Sequence, residues 1–92
     1  MKNIRLQKIR KKLDKLDDKF LLLIKKRTLL VNQVLLTKKF KNQIIDKKRI
    51  KMILSNIKIK SKRKKIDNKI TNEIWKSMIN AYIKYEFRNF KK

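Results

Sequence analysis

The sequence predicts an all-α chain of three helices, long, short and medium, that pairs with a second copy of itself. Three observations carry that expectation. The 92 residues contain no glycine and no proline, so the turns that β-hairpins need are missing. Apolar residues recur at helical rather than alternating spacing. The longest uninterrupted helical pattern is too extended to bury its apolar stripe on itself.

The first helix is expected from about Asn3 to about Lys39. Ile9, Leu13, Leu16, Phe20, Leu23, Leu30 and Val34 repeat in alternating steps of four and three, which is the stripe of a helix buried along one face. At the position between Leu23 and Leu30 the stripe holds Arg27. The segment of residues 39–45, KFKNQII, reads as the break. Asp46 is expected to be the N-cap of the second helix, with Ile45 and Ile50 as a hydrophobic staple. That helix turns Ile50, Ile53, Leu54 and Ile57 inward. The run KIKSKRKKI, residues 58–66, is expected to be a connection, and Asp67 a second N-cap. The third helix carries Ile70, Ile74, Met78 and Ala81 on one line. A neighbouring line holds Trp75, Ile79, Tyr82 and Glu86. No repeat or linker divides the chain, so residues 1–92 read as a single domain.

Composition removes most catalytic chemistry. There is no histidine and no cysteine, which argues against a zinc site, a disulfide, or a triad built on either residue. Without glycine there is no phosphate-cradling loop. Only seven carboxylates stand against thirty Lys and Arg, for a net charge of +23. The longest apolar run, FLLLI, is too short for a membrane span or a leader, so a cytoplasmic location is expected. The abundance of Lys, Ile and Asn with scarce Ala is the residue usage of an A/T-rich genome, and much of the charge reads as compositional. The alternative use of that charge is nucleic-acid binding, for which KIKSKRKK at residues 58–65 is the best feature. The aromatic residues, however, lie on apolar stripes rather than on a basic face.

Arg27 is a permanent cation at a core position, and Lys38 follows eleven residues later. At ~100° and ~1.5 Å per residue the two point within ~20° of each other, ~16 Å apart along the axis. Arg10 is expected along the same side, too far from its own Arg27 to join it. Across an antiparallel pair of long helices it reaches the Arg27 of another chain. Inward-facing cations must meet anions. A small dicarboxylate suits them, because the planar guanidinium fork matches a carboxylate.

Those residues bring a family into view. IRKKLDKLDDKFLLLIKKR, then Val34, Lys38 and the DKKR of residues 46–49, together resemble the all-helical bacterial chorismate mutases over nearly the whole chain. The resemblance implies an intertwined antiparallel homodimer with two active sites. It also implies rearrangement of chorismate to prephenate, on the route to phenylalanine and tyrosine, without a cofactor. Arg27 and Arg10 of the partner subunit would hold the substrate carboxylates. Lys38 would bond a carboxylate and the ether oxygen of the breaking bond. Asp46 and Arg49 would shape the pocket near the ring hydroxyl. Three departures follow from the same resemblance. Ile50 stands where the family has a hydroxyl-binding Glu. Tyr82 stands where a small hydroxyl residue is usual. Glu86 stands where a Gln often donates to the ether oxygen, so Lys38 and Glu86 are the expected catalytic pair.

Overall fold

The computed structural model describes residues 3–91. Among them there are three α-helices and no strand: α1, Ile4–Thr37; α2, Lys47–Arg63; and α3, Asn68–Asn89. The chain forms two compact units, Met1–Gln33 and Val34–Lys92.

The start of α1 is capped by a side chain that the sequence supplies at the right place. The Asn3 carboxamide oxygen accepts from the Leu6 N–H at 3.0 Å, satisfying one of the four donors a helix start leaves open. No breaker interrupts the following 34 residues. In the first unit no described residue is buried. Leu13, Leu16 and Leu23 on the expected stripe are 53%, 58% and 62% exposed. The chain therefore leaves the stripe largely uncovered along α1.

The second unit takes in the last turn of α1, from Val34. A 3₁₀ turn, Lys41–Gln43, fills the expected break. The Gln43 side-chain oxygen accepts from the backbone N–H groups of Lys39 at 2.6 Å and Phe40 at 2.9 Å. These bonds fold the connection back on itself and turn Ile44 inward, where it is buried together with Leu35. Asp46 caps α2 as expected, accepting from the Arg49 N–H at 3.0 Å. Of the expected staple, Ile50 is half-buried while Ile45 stays exposed.

The second helix is longer than expected. It runs 17 residues to Arg63, through most of the segment read as a connection. Lys, Ser and Arg are adequate helix formers, and nothing in that segment breaks a helix. Its last turn carries Lys60, Lys62 and Arg63, cations that favour the negative end of the helix dipole. Ile50, Ile53, Leu54 and Ile57 are all half-buried, as their spacing predicts.

A compact turn then reverses the chain. The Ile66 N–H donates to the Ser61 carbonyl at 2.9 Å and the Lys65 N–H to the Lys62 carbonyl at 3.2 Å. This is the paired hydrogen bonding of a Schellman cap. Its left-handed residue is Lys65, at φ 58°, a position that normally takes glycine. Lys65→Gly is expected to stabilise the fold by about 1 kcal/mol, read as a higher urea midpoint at unchanged slope; a lower midpoint would argue against this turn.

Asp67 caps α3, accepting from the Lys69 N–H at 2.8 Å. Of the two apolar lines expected on this helix, the structure packs one. Ile70, Ile74 and Ala81 are exposed and only Met78 of their line is half-buried. The neighbouring line is the packed one: Trp75, Ile79 and Tyr82 are half-buried and Glu86 is buried. Both lines are apolar enough to face a core, so periodicity alone did not choose between them. Packing against α2 selects the line that ends in a charge.

Candidate active site

Lys38 is the first residue beyond α1, and Glu86 lies near the end of α3. The second unit brings them together. The Lys38 ammonium donates to a Glu86 carboxylate oxygen at 2.9 Å, with the two side chains only 16% and 9% exposed. Among the described residues this is the one ion pair, in a chain with thirty cations. Its placement matters more than its count. Exposed pairs are worth little, whereas a desolvated charge left without its partner is costly. The two side chains therefore hold one another in place until another ion displaces one of them.

Lys38 also faces a cleft of about 800 Å³, open to solvent, whose walls include Asp46 and Asn42. Asp46 is fixed there by its cap to α2, and Gln43 by its bonds to Lys39 and Phe40. Asn42 and Lys47 on the cleft wall were not singled out by the sequence reading. The only signal for Asn42 was its position between Lys38 and Asp46, and for Lys47 its place directly after Asp46. Arg49 is exposed, and its guanidinium lies 3.7 Å from the Met52 sulfur rather than against an acid. Tyr82, one turn before Glu86, is half-buried with its ring edge-to-face against Tyr85 at 6.2 Å.

In the first unit Arg27 is half-buried and Arg10 exposed, and neither forms an ion pair with a described residue. The expectation that both lie along one side of α1 does not hold. Seventeen residues of regular α-helix leave Arg10 about 100° round from Arg27. Arg10 is thus aimed away from the direction its own Arg27 takes.

What the second unit assembles is a largely buried cation on the wall of an open cleft, paired to a carboxylate from the far end of the sequence. The chain also matches a family model described as chorismate mutase type II, over residues 9–87. The chain belongs to the chorismate mutase type II family. That span contains Arg10, Arg27, Lys38, Asp46, Arg49, Tyr82 and Glu86. No curated protein and no solved structure matches the chain. Chorismate mutases are isomerases, so this family member carries an isomerase's chemistry and chorismate is its family's substrate. That chemistry needs neither histidine nor cysteine, which accords with a chain that has none. Among the described residues no helix is long and apolar enough to cross a membrane.

Proposed function

We propose that the chain rearranges chorismate to prephenate, in the route to phenylalanine and tyrosine, by holding the substrate in its compact conformer and stabilising charge on its ether oxygen. The observation that carries this reading is the desolvated Lys38–Glu86 pair at 2.9 Å. In the rearrangement a carbon–oxygen bond breaks while a carbon–carbon bond forms, and no proton or electron is exchanged with the protein. The task is one of position and field. As the bond breaks, negative charge grows on the ether oxygen. A cation already fixed in place favours that change more than it favours the ground state.

In this reading Lys38 exchanges its bond to Glu86 for bonds to the ether oxygen and a substrate carboxylate. Glu86 holds the Lys38 ammonium at the site until substrate arrives. Arg27 grips one carboxylate, and Arg10 of the partner subunit another. Asp46 and Arg49 shape the wall near the ring hydroxyl, and Tyr82 takes the place of the family's small hydroxyl residue. Pairing with a second copy in the cytoplasm is part of the same proposal. The uncovered apolar stripe of α1 supports it, as does the small number of buried residues in one chain, which is few for a fold that must stand alone.

The test is chorismate loss followed at about pH 5 and about pH 7.5. The expected result is turnover above background that is abolished in Arg27→Ala. Glu86→Gln should retain turnover, because a glutamine amide can donate to the ether oxygen. Absence of turnover at both pH values from a folded, dimeric protein would overturn the proposal.

A further inference from the structure

A second cleft, of about 300 Å³, lies at the turn that joins α2 to α3. It shares no residue with the cleft beside Lys38. Its apolar walls are Ile57, Ile66 and the indole of Trp75, which is the chain's single tryptophan. Its polar wall is closed: the hydroxyls of Ser61 and Thr71 are bonded to one another at 2.8 Å, and the Asn68 amide donates to Thr71 at 3.1 Å. Ser61 is buried, so this wall is a fixed part of the cleft. The Schellman turn pins Lys64 and Ile66 on either side of Lys65.

The free bonding capacity is all of one kind. Lys60 and Lys64, one helical turn apart, border the cleft, and neither is in an ion pair with a described residue. The indole N–H of Trp75 makes no hydrogen bond within the described residues. No carboxylate lines the cleft. A slot with an aromatic wall, two ammonium groups and an open N–H donor calls for a ligand with a flat apolar body and an anionic head. The volume is at the low end for a binding site and fits a single ring with a short arm.

We propose that this cleft binds a small organic monoanion, an aryl carboxylate that carries no ammonium group. The last clause follows from the lining. The ammonium of a free amino acid would enter beside two lysines with no acid to meet it, and like charges at such a distance repel.

The single tryptophan reports directly on the site. The experiment titrates the intact protein at low ionic strength with 3-phenylpropionate, its neutral amide, and phenylalanine, and follows Trp75 emission. The expected result is a saturable change with the carboxylate. Binding should be about tenfold weaker for the amide and for phenylalanine, and about tenfold weaker for the carboxylate in Lys60→Met/Lys64→Met, the scale of two partly exposed ion pairs. Both lysines are exposed, so that variant should fold. Arg27→Ala should leave the titration unchanged, which separates this site from the proposed active site. Equal affinity for acid and amide would overturn the proposal by showing an apolar slot only. So would insensitivity to the lysine variant, or loss of the response in Arg27→Ala. No response to any compound, with emission that shifts on dilution of the protein, would assign the cleft to a second copy.

Discussion

Lys38→Ala is expected to lower kcat/KM for chorismate by about 10²–10³-fold, the usual cost of deleting one fixed donor to a developing oxyanion. The loss should fall mainly on kcat, because the charge that Lys38 meets grows only as the bond breaks. The same substitution also has a structural consequence. Glu86 is buried and bonded to Lys38 at 2.9 Å. Removing the cation leaves a desolvated carboxylate without its partner, which costs roughly 3–5 kcal/mol in well-buried cases and less where some solvent remains. Lost activity alone would therefore be ambiguous between damaged chemistry and a damaged fold. The double variant Lys38→Met/Glu86→Gln separates them. It removes both charges together, so most of the stability should return while the rate stays low. A double variant that regains activity along with stability would remove Lys38 from the chemistry. Thermal unfolding run beside the kinetics supplies both readings.

The pair also shows which parts of this protein could be read from its sequence. Lys38 drew notice because it follows Arg27 at eleven residues, a helical spacing, whereas Glu86 was named only through the family resemblance. Asp46 and Asp67 were legible as caps, since a short acceptor ahead of an apolar run has few other uses. Both do accept from backbone N–H groups at the starts of α2 and α3. The end of α2 was not legible. Its terminating turn is built without glycine, by forcing Lys65 to positive φ, and a lysine in a lysine-rich run carries no signal of that. The packed line of α3 was not legible either. Ile70 and Ile74 look as much like core residues as Trp75 and Ile79 do, and only contact with α2 tells them apart. The position of Arg10 was open to simple helical arithmetic. Regular α-helix turns it away from the line of Arg27, so it can serve an Arg27 site only across an interface.

The state of assembly carries the other large effect. Leu16→Lys/Leu23→Lys is expected to convert a dimer to a poorly folded monomer and to abolish turnover. Ile9, Leu13, Leu16, Phe20, Leu23 and Leu30 remain about half exposed or more in the chain by itself. Covering what is left open would yield roughly 1 kcal/mol for each, from a full-burial value of about 1.5–3 kcal/mol. Six such side chains on each of two helices give on the order of 10 kcal/mol, comparable to the whole stability of a small domain. In a monomer these two leucines already face water, and lysine there should change stability by less than about 0.5 kcal/mol. In a dimer each lysine must carry its charge into the seam. The two cases therefore differ by several kcal/mol, beyond any error of measurement. Sedimentation of wild type and variant, with unfolding at two protein concentrations, reads the difference. A wild type whose midpoint ignores concentration, and a variant as stable as its parent, would show that the stripe is not an interface. Arg10 would then have no route to a second chain's substrate, and the site would have to function with Arg27, Lys38 and Glu86 of one chain alone.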